Sequence, residues 1–284
     1  MDKNILKDCI LCPRNCHADR TNGKRGYCKV TDELIVARAA LHMWEEPCIS
    51  GAEGSGAVFF SGCAMGCVYC QNFSIANGST GRKITIERLS DIFIELQNEG
   101  ASNINLVTPS HYVFQIIEAL DKAKNKGLHL PVVYNTNGYE KVETLKLLEG
   151  YVDIYLPDFK YFNSNIGKRY SNCSDYFSYA STALEEMVRQ RPNPVFDDTG
   201  MMKKGVVVRH LMLPGYLEDS KTIIKYLYET FKDHIYISIM SQYTPLQNVS
   251  AFPEINKKIN EKKYAELVDY AINLGVENGF IQEG

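Results

Sequence analysis

The sequence predicts an α/β fold, a partial (β/α)6 TIM-like barrel carrying an N-terminal Cys-rich appendage, and three observations predict it. Six short runs of β-branched and aromatic residues, mostly without polar alternation, recur between residues 56 and 243, as expected of strands buried on both faces of a parallel sheet. Stretches with apolar residues at helical spacing separate these runs. Five cysteines (9, 12, 16, 28 and 48) crowd the first 50 residues, ahead of the first run.

The strand candidates, in order, are GAVFFSG (56–62), INLV (104–107), PVVYNT (131–136), VDIYLPDF (152–159), VVVRHLMLP (206–214) and IYISIMSQY (235–243). The first helix candidate, ITIERLSDIFIELQNEG, places Ile86, Leu89, Ile92, Phe93 and Leu96 on one face, with Thr85 and Arg88 near its start and Gly100 as its stop. HYVFQIIEALDKAKNKG, EKVETLKLLEG, DYFSYASTALEEMVRQ and DSKTIIKYLYETF follow the same logic. Six such units fall short of a closed eightfold barrel, so the sheet is expected to stay open. RPNPVFDDTGMMKKG (191–205), rich in Pro, Gly and Asp, reads as a loop or small hairpin before the fifth strand. NEKKYAELVDYAINLG reads as an amphipathic helix closed by Gly275. The expected division is a Cys-rich metal-binding segment (1–50), the barrel (51–250) and a C-terminal helical extension (251–284).

The chain's 284 residues, 45% hydrophobic and 23% charged, suffice for one large core. A net charge of -3, from 31 basic and 34 acidic residues, gives no overall attraction to nucleic acid or anionic membrane. MDKNILKDCILCPRNC lacks the apolar stretch of a secretion signal, and no run of roughly eighteen apolar residues follows, so a cytoplasmic location is expected. In a reducing compartment, clustered thiols are more often ligands than disulfides.

The stretch FFSGCAMGCVYCQN spaces Cys63, Cys67 and Cys70 by three residues and then two. Three thiolates on one loop can hold three irons of a cubane 4Fe-4S cluster and leave the fourth without a protein ligand. Following the first strand directly, the loop falls at the barrel's C-terminal mouth, where barrel enzymes place their chemistry. A structural zinc site would want a fourth ligand nearby, and Gln71, Asn72 and Phe73 offer none. Upstream, Cys9, Cys12, Cys16 and Cys28 provide four thiols, enough for zinc, for a fully ligated second 4Fe-4S cluster, or for a set of reduced structural thiols. Cys48 is a substitute ligand in this reading, and Cys173 an ordinary thiol.

With aromatic Tyr69 just before its last cysteine, the Cys-x3-Cys-x2-Cys stretch resembles the signature of the radical SAM superfamily. Residues 51–250 are further similar to glycyl-radical activating enzymes of the pyruvate formate-lyase activating enzyme type, and EEPCISG, GSGAVFFSGC, CVYCQN, NINLVTPSHY, VDIYLPDFKY and RHLMLPG carry that likeness. The resemblance implies that the open iron is chelated by the amino and carboxylate groups of S-adenosylmethionine. One electron then cleaves this cofactor to methionine and a 5′-deoxyadenosyl radical, which abstracts hydrogen from a substrate. It further implies an electron donor such as flavodoxin or ferredoxin and, as target, a glycyl radical enzyme. Modification of a peptide or small metabolite is the alternative target, and a non-catalytic Fe-S or zinc redox or interaction protein the alternative class.

The resemblance also assigns residues. Tyr69 belongs to the cofactor site. The family's Gly-Gly-Glu-Pro-like turn is replaced by Thr108-Pro109-Ser110-His111, so the cofactor amino group would be met by carbonyls or by the hydroxyls of Thr108 or Ser110. His111 is then either a ligand or merely a helix start. Asn135-Thr136-Asn137-Gly138 is similar to the family's Asp-Thr-Asn-Gly, placing Asn135 and Asn137 near the ribose or carboxylate, unless the stretch is only a turn. Asp158 and Lys160 match an Asp-x-Lys motif in which the lysine neutralises the cofactor carboxylate, the plainer reading being a surface ion pair. Arg209 is expected to bind a carboxylate or ribose oxygen, and within an apolar strand it requires a partner. His210 would face the other way, and Gln242 and Tyr243 would close the adenine side.

Overall fold

The structure, a computed structural model, describes residues 3–282. Among these, ten strands form one sheet: β1 (Ile35–His42), β2 (Ser55–Phe60), β3 (Arg82–Lys83), β4 (Ile104–Val107), β5 (Val132–Thr136), β6 (Ile154–Pro157), β7 (Val195–Phe196), β8 (Met202–Leu211), β9 (Tyr236–Met240) and β10 (Gly279–Gln282). They run β10-β9-β8-β6-β5-β4-β2-β1-β3, with β7 paired to β8 off this path. Every pair from β2 to β10 along that order is parallel, while β1 and β3 are antiparallel. The two ends of the sheet do not pair, so the barrel is open.

Parallel neighbours require crossovers, and helices supply them. The helices are α1 (Pro47–Ser50), α2 (Phe73–Ala76), α3 (Ile86–Asn98), α4 (Val113–Asn125), α5 (Val142–Lys146), α6 (Ser164–Ser171), α7 (Tyr176–Gln190), α8 (Leu217–Phe231) and α9 (Glu261–Leu274). The Thr85 side chain caps α3 by accepting from the Arg88 N–H, and Asn260 caps α9 in the same way from Lys263. Gly275, at φ 101°, ends α9 in the left-handed conformation that only glycine adopts cheaply. None of these helices is long and apolar enough to cross a membrane.

All six expected strands are present, and 191–205 folds as the small hairpin β7–β8. Three strands escape the sequence, one of them the two-residue β3. β1, IVARAALH, is half-exposed along most of its length, so neither alternation nor an apolar run marks it. β10, GFIQ, is a short edge strand in the stretch expected to be purely helical. Within the stretch read as an appendage, residues 45–50 also enter the barrel. Cys48 and Ile49 pack with Val133, Ile154, Leu156, Met202 and Val207, and the Asn103 amide holds the Ile49 carbonyl at 2.7 Å. Burying each such Ile, Leu or Val side chain stabilises the fold by about 1.5–3 kcal/mol.

The two-residue period of a strand then fixes what lies above this apolar floor. Val133 is followed on the inner face by Asn135, Leu156 by Asp158, and Val207 by Arg209. Inner positions therefore turn from apolar to polar toward the C-terminal mouth.

Candidate functional site

The thiol loop begins where β2 ends. Gly62 sits at φ 95°, and a Cβ there would lie 2.5 Å from the Cys28 carbonyl oxygen, so only glycine lets the N-terminal segment approach. Cys63, Cys67 and Cys70 follow, and their sulfurs share one neighbourhood. Burial pushes the Cys70 thiol up to about 12, with Cys67 and Cys63 adding to the effect, and burial likewise raises Cys63 with Cys67 adding. Three donors aim at sulfur: the Met65 N–H at 3.4 Å and the Asn137 amide at 3.6 Å from Cys63 Sγ, and the Ser171 hydroxyl at 3.0 Å from Cys67 Sγ. Among the described residues no three His, Cys, Asp or Glu side chains converge on a single ion. A cubane, which takes one thiolate per iron, asks for thiols spread around a volume instead. An all-sulfur set, one thiol buried and two half-buried, with hydrogen-bond donors facing it therefore fits an iron–sulfur cluster.

Beneath the loop, β4, β5, β6 and β8 present a charged network. Arg209 donates from Nε to Asp158 Oδ1 at 2.9 Å, from one terminal nitrogen to Glu45 Oε2 at 2.9 Å, and from the other to Asn135 Oδ1 at 2.7 Å. The amides of Asn105 and Asn135 both donate to Glu45 Oε1, at 3.1 and 3.2 Å. Burial works against the charge on Arg209, and Asp158, Glu45 and Glu46 outweigh it. Burial also opposes ionisation of Asp158, but Arg209 and Lys160 hold its carboxyl below the usual range.

This arrangement bears on two expectations. Arg209 is expected to reach the cofactor, and in the structure three of its five N–H donors are spent on Asp158, Glu45 and Asn135, so it ties the network together. Asn135, 5% exposed, is bound into the same network on both sides of its amide. Lys160 also has donors to spare: its Nζ makes one ion pair, to Asp158 Oδ2 at 2.7 Å, and Cys67 is close enough to favour its charge. Asn137 bridges Cys63 and its own turn, accepting the Tyr139 N–H at 2.9 Å.

The Thr108–His111 turn departs further from expectation. Thr108 lies at φ 56°, an unusual conformation for a β-branched residue and the kind of strain that collects at functional sites. Ser110 does not face the mouth; its hydroxyl is buried and donates to Glu140, as does that of Thr136. The His111 Nε2–H donates to the Ser61 carbonyl at 2.8 Å, and burial, aided by nearby Arg20, lowers the ring to about 3, so it is a neutral structural histidine. His210 does face away from Arg209, held by the Phe159 carbonyl and Ser220. Tyr69 is buried with its hydroxyl on Tyr161 at 2.6 Å and its ring 6.0 Å from that of Tyr243. The Gln242 carbonyl accepts from the Gln71 amide.

Burial pushes the Glu140 carboxyl from 4.5 up to about 7, against hydrogen bonds from Ser110, Thr136 and Tyr134. A value raised by folding means the protonated form is favoured in the native state. Its contribution to stability is present below the unfolded value near 4.5 and is lost as pH rises through about 7. Glu140→Gln is therefore expected to flatten the fall in melting temperature between pH 4.5 and about 7, which melting curves across that window would measure.

The N-terminal cysteines also gather. A Cβ on Gly26 would meet Cys16 Sγ at 2.9 Å and Cys28 Sγ at 3.5 Å. Burial pushes the Cys12 thiol up to about 12, with Cys28, Glu140 and Cys9 adding to the effect. Arg20, fully buried, spends two donors on the Thr31 carbonyl and aims a third at Cys9 Sγ, 3.8 Å away. Cys48 is not among them, since it packs in the barrel floor. Cys173 is no isolated thiol: its sulfur lies 3.6 Å from Met65 Sδ and accepts from Arg14 at 2.7 Å.

Sequence reasoning missed Glu45, Asn105, Glu140, Arg14, Tyr161 and Ser171. Glu45, Asn105 and Tyr161 stand in stretches that were singled out, EEPCISG, NINLVTPSHY and VDIYLPDFKY, and Arg14 lies among the N-terminal cysteines. Glu140 and Ser171 carry no such signal, because only the fold brings them to their partners.

Comparison with known proteins gives the following likenesses. The family profile described as the Radical SAM superfamily matches residues 57–227. An uncharacterized protein of Methanocaldococcus jannaschii is 28% identical over 278 residues, covering 95% of this chain and 75% of that protein. HydG, a maturase of the [FeFe]-hydrogenase, superposes with a TM-score of 0.55 at 17% identity over 78% of this chain and 50% of HydG. SuiB of Streptococcus suis bound to its precursor peptide SuiA gives 0.52 at 13% identity, over 78% of this chain and 46% of SuiB. The chain thus spans about half the length of these two solved structures, and at such identities they show a shared fold alone.

Proposed function

This chain belongs to the radical SAM superfamily, and from that premise we propose that it activates a protein substrate by hydrogen abstraction, as glycyl-radical activating enzymes do. When bound, the cluster and S-adenosylmethionine supply a 5′-deoxyadenosyl radical through one-electron cleavage of the cofactor. Cys63, Cys67 and Cys70 hold the cluster. Lys160, poised beside Cys67 with uncommitted N–H donors, receives the cofactor carboxylate, and Asp158 keeps that ammonium charged and in place. Arg209, Glu45 and Asn135 form the rigid floor that fixes Asp158. Tyr69 and Tyr243 wall the site and exclude water from the reacting atoms. The observation that carries the reading is the clustering of three thiols, one buried and two half-buried, with an under-used lysine at the C-terminal mouth of an open barrel.

A protein as target is supported by a groove of about 1660 Å³ on the same rim, lined by Phe162, Ile166, Arg169, Tyr216, Asp219 and Lys263, which is roomy enough for a polypeptide segment. A flavodoxin or ferredoxin would deliver the electron. Cys9, Cys12, Cys16 and Cys28 are proposed to hold a second metal centre, a 4Fe-4S cluster or zinc; the buried Arg20 cation supports this, because it favours thiolates over thiols.

Incubating the reduced, reconstituted protein with S-adenosylmethionine and a glycyl radical protein should produce the glycyl radical doublet in the electron paramagnetic resonance spectrum. Methionine release with no protein radical would instead assign a peptide or small metabolite as target.

A further inference from the structure

Two side chains outside the thiol motif bear on its electronics. α6 ends at Ser171, whose hydroxyl would ordinarily bond back to its own helix. Instead it lies 3.0 Å from Cys67 Sγ and 2.7 Å from the Tyr161 hydroxyl, which is in turn 2.6 Å from that of Tyr69. A thiolate can only accept, so the proton order is fixed once Cys67 is a ligand: Tyr69 donates to Tyr161, Tyr161 to Ser171, and Ser171 to sulfur. Tyr161 and Ser171 are each 1% exposed and Tyr69 7%, so water does not compete for any link.

Arg14, between Cys12 and Cys16, holds this chain and the thiol loop together. Its guanidinium donates to the carbonyls of Ala64 at 2.7 Å, Met65 at 3.1 Å, Ser171 at 2.9 Å and Asn172 at 2.5 Å. It also stacks 3.9 Å over the Tyr27 ring. Ala64 and Met65 lie between Cys63 and Cys67, so one side chain fixes both the loop and the backbone of the residue that bonds its sulfur. No other residue of the N-terminal cysteine stretch reaches so far into the motif among the hydrogen bonds described.

We propose that Ser171, held in place by Arg14, is a positioning residue that raises the reduction potential of the centre at Cys63, Cys67 and Cys70, so that the N-terminal cysteine segment helps set how easily that centre accepts its electron. The inference rests on those three cysteines holding an iron–sulfur cluster. A hydrogen bond to a ligating sulfur stabilises the extra negative charge of the reduced state, and its removal moves the potential down.

The test is a redox titration of the full-length, reconstituted protein, followed by electron paramagnetic resonance, with iron and sulfide measured for each variant. Ser171→Ala should titrate at a more negative midpoint than the parent with the same iron content. Tyr161→Phe should shift in the same direction by less, Ser171→Thr should stay near the parent, and Arg14→Lys should shift down with Ser171→Ala. If Ser171→Ala does not fold, Tyr161→Phe carries the test, since it keeps the ring and loses only the hydroxyl. Fully loaded Ser171→Ala and Tyr161→Phe proteins that titrate at the parent's midpoint would overturn the inference while leaving the cluster assignment intact. A parent protein that takes up no reducible cluster would overturn both.

Discussion

Arg209→Leu is expected to cost about 3–5 kcal/mol of unfolding free energy, the range for removing one partner of a buried ion pair. The side chain is 13% exposed, and its loss strips from Glu45, itself 7% exposed, the cation that pairs it among the described residues, while leaving Asp158 with Lys160. The buried Glu45 and the partly exposed Asp158 would then be left with one ammonium and a pair of asparagine amides. The cost comes chiefly from the charge left behind, so Glu45→Gln added to Arg209→Leu should recover a measurable part of the lost stability. Urea unfolding of the parent, the single variant and the double variant decides it. A loss under about 1 kcal/mol, the scale of exposed ion pairs, would mean that water reaches the network.

Lys160→Met is expected to act on binding instead. Lys160 contributes one ion pair to the fold, and Asp158 retains its bond from Arg209, so the melting temperature should move little. A charged hydrogen bond is worth about 1.5–3 kcal/mol. Losing one to the cofactor carboxylate should therefore weaken S-adenosylmethionine binding roughly 10- to 100-fold. Anaerobic calorimetry on the reconstituted protein would measure it. Unchanged affinity would show that the Asp158–Lys160 pair serves the fold alone.

The open barrel was legible because its six central strands are short apolar runs with few alternatives, and the thiol motif because its spacing is chemically specific. β10 and the two-residue β3 were hidden because they are short strands at the sheet's edges, and β1 because it is half wet along most of its length and shows no period. Among the candidate site residues, the Asp158–Lys160 ion pair was legible, since strand-end position and spacing of two place them on one face. For Arg209 a sequence shows that an arginine in an apolar strand must be paired, but not that a carboxylate from a distant segment, Glu45, pairs it. Ser110 was misassigned for the same reason, because Glu140 approaches it only through the β5–α5 turn. What remained illegible is long-range pairing between polar side chains, which composition and periodicity do not encode.

The central claim is that Cys63, Cys67 and Cys70 hold a centre that delivers one electron to S-adenosylmethionine. Its most direct test is anaerobic reconstitution with iron and sulfide, reduction with dithionite, addition of S-adenosylmethionine, and quantification of 5′-deoxyadenosine in the parent beside Cys67→Ala. Product from the parent that disappears in the variant, together with iron loss at that loop, is the predicted result. A parent that carries an intact, reducible cluster whose paramagnetic spectrum is unmoved by S-adenosylmethionine, and that releases no 5′-deoxyadenosine, would contradict it.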